Sequence, residues 1–195
     1  MRITERENFH CVILGSYRRN FQEILNAKAN FEARGISVLH PTAANHVGER
    51  DGFVLLDGQL DSDPRAVELD FLHLLKACGK RGFAYFANPD GLLGRSAAYE
   101  LGIAQALGVP CFFSTKVADL PAYIPPQAIW SAQELAEHIG ARGLPKIRAP
   151  RQEREIYGQW RNLLAPNAVV AAGGIIAHER RRGPPDILLV RTHKW

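Results

Sequence analysis

The chain has 195 residues and a formal net charge of +4, so its length allows one domain, or one domain with a small second element. Hydrophobic residues make up 46% and charged residues 23%, a balance that supports a buried core and excludes wholesale disorder. The charge is mildly basic without a dense Lys/Arg tract, which favours an anionic small molecule over a nucleic acid polymer as the ligand.

The amino-terminal residues 1–10 are charged and lack the apolar stretch of a signal peptide, and no run is long enough for a membrane-spanning helix. Three cysteines, Cys11, Cys78 and Cys111, are far apart and show no metal-binding spacing. Two of them fall in apolar runs, where cysteine usually behaves as a small hydrophobic residue. We therefore expect a reduced, cytoplasmic protein that contacts no membrane and needs neither a metal nor a cofactor.

Short apolar runs alternate with helix-compatible segments over residues 1–125. In chain order, the patterns predict strand Val12–Leu14, helix Phe21–Arg34, strands Ile36–Leu39 and Phe53–Leu56, helix Pro64–Ala77, strand Phe83–Ala87, helix Ser96–Leu107 and strand Val109–Phe113. The strands are continuously apolar, which is typical of a parallel sheet covered by helices. We predict an α/β, Rossmann-like (flavodoxin-like) parallel sheet with helices on both faces.

Three polar loops follow strands of this predicted sheet: Gly15–Asn20, Asn88–Ser96 and Ser114–Lys116. In such sheets the ligand crevice lies beyond the carboxyl ends of the strands. We therefore expect the three loops to gather at one edge and to form the binding site there.

The regular alternation of apolar runs and helix-compatible segments ends at residue 125. We predict a helical linker over residues 126–165, with helices at Ser131–Ile139 and Arg151–Leu164. Residues 166–195 contain two β-like runs, Ala168–Ala177 and Ile187–Thr192, which are predicted to form a hairpin.

The most informative segment runs from Asn88 to Gly102 and is predicted as a Gly-rich loop that enters a helix. Small residues let a ligand approach the backbone, and a helix start favours anions. Glu100 is predicted in the first turn of this helix. One interpretation is that it complements the helix dipole. It follows Ser96 by four positions, whereas a capping box requires three.

The stretch from Gly94 to Ala104, followed by Gly108-Val109-Pro110, resembles the signature of the nucleoside 2-deoxyribosyltransferases. It also resembles that of the related 2′-deoxynucleoside 5′-monophosphate N-glycosidases. The resemblance covers roughly residues 9–115 and implies that Glu100 is the nucleophile on the anomeric carbon of the sugar. It also implies that Asp70, in the helix before the fourth strand, is the second catalytic residue.

The resemblance implies a substrate site as well, built from Gly15, Ser16, Tyr17, Arg18, Asp90, Gly91, Gly94 and Ser96. The Ser and Arg after the first strand would hold a 5′-phosphate, and Tyr17 would replace a tyrosine that the family carries inside that strand. Simpler interpretations remain open: a solvated basic turn for Arg18, a helix cap for Ser96 and a turn former for Asp90. His40, His46 and His73 show no metal spacing and are treated as ordinary polar residues, with His73 a minor candidate because it follows Asp70 by three positions, on the same helix face.

The run Asn167–Ile176 with Asp186–Arg191 resembles the opening hairpin of a Nudix hydrolase domain, but no Glu-rich Mg²⁺-binding box follows it. The sequence therefore leaves three functions open. The first is cleavage or transfer at the N-glycosidic bond of a nucleoside or nucleotide. The second is a non-catalytic nucleotide-sensing domain attached to a truncated Nudix domain, and the third is a structural α/β module. The family resemblance also implies a possible homo-oligomer.

Overall fold

The computed structural model describes residues 9–42, 45–50, 53–57, 59, 63–78, 81–120 and 124–147, and the strands at 168–171, 175–178 and 186–189. The chain divides into two compact units, Met1–Ile147 and Arg148–Trp195. In chain order the first unit contains β1 (His10–Gly15), α1 (Phe21–Glu32), β2 (Ser37–His40), β3 (His46–Arg50), β4 (Phe53–Leu56), α2 (Pro64–Ala77), β5 (Gly82–Ala87), α3 (Arg95–Ala106), β6 (Cys111–Phe113), a short 3-10 helix (Pro126–Ala128) and α4 (Ala132–Arg142).

A parallel sheet with strand order β2-β1-β5-β6 forms the centre of this unit. The predicted α/β, Rossmann-like architecture is confirmed. After β1 the chain moves outward to β2 and returns on the other side to β5, so the strand order reverses between β1 and β5. Such a reversal opens a crevice at the carboxyl ends of the two strands.

Helices cover both faces of the sheet, because the strand side chains alternate between two apolar clusters. In β1, Cys11 and Ile13 pack with α1 and α4, whereas Val12 and Leu14 pack with α2 and α3. All six residues of β5 are buried, as expected for a central strand that is covered on both sides.

The run Phe53–Leu56 is a strand, but it does not join the parallel sheet as predicted. It pairs antiparallel with β3, a strand that the sequence patterns did not indicate. The sequence of β3, His-Val-Gly-Glu-Arg, is mostly polar and lacks the apolar run that marks a buried strand. The two strands form a separate hairpin between β2 and α2.

The three loops that were predicted to share one edge do meet there. Asn20 donates a side-chain hydrogen bond to Asp90 (3.4 Å), and Asn88 accepts one from the Ser114 hydroxyl (3.2 Å). Gly15 ends β1 with a φ of +144°, and a Cβ atom there would lie 2.6 Å from the carbonyl oxygen of Ala87. Glycine is therefore required at position 15, where β1 and β5 end side by side and the first two loops begin.

The second unit contains a three-stranded antiparallel sheet of β7 (Ala168–Ala171), β8 (Ile175–His178) and β9 (Asp186–Leu189), in that order. The predicted hairpin of two runs is therefore wrong in one respect, because the first run supplies two strands. The helix predicted at Arg151–Leu164 lies outside the described residues. Within the described part of the chain, no helix has the length and apolar character that crossing a membrane requires.

Candidate active site

A pocket of about 160 Å³ lies at the carboxyl edge of the sheet, beside the reversal of strand order. Its walls come from four parts of the chain that are distant in sequence. They are the loop after β1 (Gly15, Ser16, Tyr17, Arg18), the end of β2 with the hairpin (His40, Val54, Leu55, Leu56, Gln59), helix α2 (Val67, Glu68, Phe71) and the start of α3 (Leu93, Gly94, Arg95, Ser96, Ala97, Glu100).

Glu100 is a buried carboxylate on the wall of this pocket, with 4% of its surface exposed. It is the sixth residue of α3, so the prediction that it lies in the first turn is wrong. The helix dipole acts mainly within the first turn and does not explain a buried glutamate in the second. Burial, and then the negative charge of Glu68, raise the pKa of Glu100 to about 8, so the group favours its protonated form at neutral pH.

Glu68 is the second carboxylate that lines the pocket, whereas Asp70, the residue that the family resemblance implies, does not line it. Two positions in a helix correspond to about 200° around its axis, and Asp70 is exposed on the far side of α2. Glu68 is half-buried, and its Oε1 atom has no hydrogen-bond partner among the described residues. Burial raises its pKa as well. Two carboxylates that both resist ionisation therefore line one small pocket.

Tyr17 belongs to the loop after β1 and packs against the apolar side of α2. Its hydroxyl donates a hydrogen bond to the carbonyl oxygen of Ile13 (3.1 Å), and its ring packs edge-on against Phe71. Burial of the hydroxyl, and then the negative charge of Glu100, raise the pKa of Tyr17 well above its usual range. The tyrosine and the catalytic candidate are therefore electrostatic neighbours, although Tyr17 follows β1 rather than lying inside it.

The start of α3 faces the same pocket and offers groups that bind anions. Gly94 occupies the N-cap position with φ 80° and ψ −179°, a conformation that is essentially restricted to glycine. Ser96 is thus the second helical residue, and the interpretation of Ser96 as the cap is wrong. Within the described residues, the first-turn N–H groups of Arg95, Ser96 and Ala97 have no hydrogen-bond acceptor.

Two arginines with different surroundings line the mouth of the pocket. Arg18 forms an exposed ion pair with Glu49 of the hairpin, with 3.6 Å between Nε and Oε2. Arg95 is exposed and has no carboxylate within ion-pair distance in the part of the chain that the structure describes. The Ser16 and Ser96 hydroxyls and the N–H groups at the start of α3 add hydrogen-bond donors to the same end of the pocket.

Asp90 and Gly91 lie outside the pocket walls, unlike the other predicted substrate residues. Asp90 accepts a hydrogen bond from the backbone N–H of Leu92 (3.1 Å) and pairs with Arg19 (3.4 Å). Gly91 has a φ of +78° and closes the same turn. The two residues shape the loop, which is the turn-forming role that the Pro-Asp-Gly sequence indicates.

Asp119 holds the start of α3 in place from the loop after β6. Its carboxylate accepts hydrogen bonds from the backbone N–H groups of Leu93 (3.0 and 3.1 Å) and Gly94 (3.0 Å). These two donors are thereby satisfied, whereas the next three in the chain have no acceptor among the described residues. Sequence reasoning missed Asp119 because no pattern connects it with a helix that begins 24 residues earlier.

The sequence patterns did not single out Glu68 or His40 as pocket residues, although a feature of the sequence around each could have indicated it. Glu68 shares the helix face of Phe71 and Leu75, which are buried, and a carboxylate on an apolar helix face indicates a functional site. His40 ends an apolar strand and is 7% exposed. Its Nε2 atom is buried without a partner among the described residues.

A wider cavity of about 560 Å³ lies between α1 and α4 on the other face of the sheet. The ionisable groups on its walls are Glu23 and Tyr85. The Tyr85 hydroxyl is already satisfied, because it donates to the carbonyl oxygen of Trp130 (3.1 Å). The smaller pocket is the candidate site, because His40 and Glu68, which line it, each have a buried polar atom without a partner among the described residues.

Among the described residues, no group of three or more His, Cys, Asp or Glu side chains could hold a metal ion. Comparison of the whole chain with protein-family models, with curated proteins and with solved structures finds no match.

Proposed function

We propose that this protein cleaves or transfers the N-glycosidic bond of a nucleoside or nucleotide, with Glu100 as the nucleophile and Glu68 as the acid–base partner. The observation that carries the proposal is a pair of carboxylates that line one pocket, Glu68 from α2 and Glu100 from α3, both with raised pKa values. Glycosidic chemistry with retention of configuration needs one ionised and one protonated carboxyl group side by side.

The proton balance of the pair fits this chemistry. A pKa of about 8 for Glu100 means that the two groups together keep a proton at pH 7. At rest the proton favours Glu100, and its passage to Glu68 leaves Glu100 ionised as the nucleophile and makes Glu68 the acid.

The reaction would proceed in two steps. The Glu100 carboxylate bonds to the anomeric carbon while the bond from that carbon to the base nitrogen breaks, and Glu68 donates its proton to the departing base. Water, or a second nucleobase, then attacks the same carbon and gives its proton to Glu68. The ester bond to Glu100 breaks and regenerates the carboxylate. Water as the acceptor gives hydrolysis, and a base as the acceptor gives transfer.

The hydrogen-bond donors at one end of the pocket support a 5′-phosphate on the substrate. The Ser16 hydroxyl, the free N–H groups at the start of α3 and the side chains of Arg18 and Arg95 supply donors and positive charge. Arginine forks and helix starts are the usual protein partners of phosphate. We therefore expect nucleoside 5′-monophosphates to be better substrates than free nucleosides.

The test is release of free base from a panel of deoxynucleosides and their 5′-monophosphates. We expect release by the unaltered protein and a loss of at least about a thousandfold in Glu100→Gln, because a nucleophile has no substitute in the mechanism. Asp70→Asn is the matched control, since it also neutralises a carboxylate on the same part of the fold but lies outside the pocket. Nucleotide binding without base release would refute catalysis and favour the non-catalytic sensing domain.

A further inference from the structure

His40 is the second residue of the pocket with an unsatisfied buried atom. Its Nε2 is closed to solvent and has no hydrogen-bond partner among the described residues, as is also true of Glu68 Oε1. The proposed chemistry uses Glu68 but gives His40 no task. Leaving a polar atom buried without a partner destabilises a fold, and such atoms are rare in native proteins.

The surroundings of His40 are aromatic and aliphatic. Its ring centroid lies 4.0 Å from that of Phe71 and 5.9 Å from that of Tyr17. On the same pocket, Leu55 and Leu56 of the hairpin add buried aliphatic surface. This wall therefore resembles the binding surface for a flat ring with few polar atoms.

The imidazole of His40 is uncharged at neutral pH. Burial, and then the positive charge of Lys28, lower its pKa to about 4. A neutral imidazole can present either a donor or an acceptor at Nε2, according to its tautomer. That adaptability suits the edge of a heteroaromatic ring, on which donors and acceptors alternate.

We propose that His40 Nε2 forms a hydrogen bond with the edge of a heteroaromatic ring that is bound against Phe71 and the hairpin. The identity of this ring as the departing nucleobase rests on the proposed function. The contact itself depends only on the geometry of the pocket. His40 would then help to determine which bases the protein accepts, while Ser16 and the start of α3 hold the opposite end of the substrate.

The test compares two ligands that represent the two ends of the substrate: free nucleobases, and 2-deoxyribose 5-phosphate, which lacks the ring. Binding to the full-length protein is measured by calorimetry, with the base that the unaltered protein binds most tightly. His40→Phe keeps an aromatic ring against Phe71 and removes both nitrogens. We expect it to weaken base binding about tenfold, the worth of one neutral hydrogen bond, and to leave binding of the sugar phosphate unchanged within about twofold.

His10→Phe is the matched control, because His10 also has a buried, unpartnered nitrogen but lies at the opposite end of β1, away from the pocket. It should leave the binding of both ligands unchanged. His40→Gln restores a polar end and should recover part of the lost affinity, which keeps the test valid if the Phe variant does not fold.

Unchanged base binding in His40→Phe and His40→Gln would overturn the inference, as would equal losses for the base and the sugar phosphate, or no binding of any base to the unaltered protein. The outcome is separable from that of the proposed function. Base release that is insensitive to His40 would leave catalysis standing without this contact. Base binding that depends on His40, in a protein that releases no base, would support the His40 contact and refute catalysis.

Discussion

Glu68 and Asp70 are separated by one residue in the sequence and by the width of a helix in space. The family resemblance indicated a carboxylate in this helix, but the choice between the two depended on which face of α2 packs on the sheet. Phe71 and Leu75 are buried on that face and Glu68 shares it. At the residue scale, the sequence therefore indicated Glu100 and the polar loop after β1, which line the pocket, but it indicated Asp70, which does not line it, in place of Glu68.

Neutralising Glu68 should impair base release and change its pH dependence. We expect Glu68→Gln to lower kcat/KM by about a hundredfold, because acid–base catalysis is lost. Removing the neighbouring charge should also lower the pKa of Glu100, since Glu68 helps to raise it. The measurement is the pH profile of base release. Activity of the unaltered protein should decline above about pH 8, as the shared proton is lost. Asp70→Asn should retain the profile, and a profile lost in Asp70→Asn but kept in Glu68→Gln would reverse the assignment.

Glu100 should make the protein less stable as the pH rises. Its pKa is about 8 in the folded chain against a usual value of 4.5, so its contribution to stability is complete below pH 4.5, declines up to about pH 8 and is constant beyond it. Each pKa unit corresponds to about 1.4 kcal/mol, and the loss by pH 7 is on the order of 3 kcal/mol.

Denaturant unfolding at pH 5 and pH 8 measures this decline. Glu100→Gln should be more stable than the unaltered protein at pH 8 and should show a smaller difference between the two pH values. An equal pH dependence in both proteins would mean that the carboxylate is not buried as described.

At the scale of elements, backbone geometry at two glycines positions the site. Gly94 permits the loop to enter α3 with its first N–H groups turned to the pocket, and Asp119 fixes that entry. Gly15 permits the close approach of β1 and β5 from which the first loop departs. The two glycines could be identified from the sequence. The role of Asp119 could not, because it depends on the tertiary contact between the loop after β6 and the start of α3.

Two glycine substitutions should have opposite effects on stability. In Gly15→Ala the new Cβ would lie 2.6 Å from the Ala87 carbonyl oxygen, and neither backbone can move without separating the strands. We expect a loss of more than about 2 kcal/mol in the free energy of unfolding. Gly140 lies within α4, exposed and with no atom within 4 Å of an added Cβ. Gly140→Ala should stabilise the protein by about 0.5–1 kcal/mol. Equal effects in denaturant unfolding would contradict this account.

At the scale of the whole chain, alternating apolar runs were enough to predict the parallel sheet, its four strands and the helices that cover it. The bounds of α2 were predicted to the residue. The hairpin of β3 and β4 could not be predicted in the same way. Its first strand is polar, and its second is an apolar run of the kind that also marks a sheet strand. Only tertiary pairing distinguishes the two cases.

The placement of α4 leads to a test of domain organisation. Leu135 and Ile139 of this helix are buried against Ile24 and Phe31 of α1, although a linker was predicted from residue 126. Exposing such side chains costs about 1.5–3 kcal/mol each, a large part of the stability of a typical domain.

A fragment of residues 1–147 should therefore unfold cooperatively and keep the ligand-binding behaviour of the pocket, whereas residues 1–125 should not fold. Circular dichroism during thermal unfolding distinguishes the two fragments. Independent folding of residues 1–125 would show that α4 is dispensable to the first unit.

The three cysteines are distributed so that they can report on motions of the chain. Cys11 lies in β1, Cys111 in β6 and Cys78 at the end of α2, and all three are free and buried. Burial raises the pKa of Cys78 to about 11 and that of Cys111 to about 12, so few thiolates are present while the fold is closed. An alkylating reagent would therefore modify each thiol only during transient openings. The three labelling rates, separated by mass spectrometry, would report how often the structure opens around each cysteine. They would also show whether a bound nucleotide slows all three openings or only one of them.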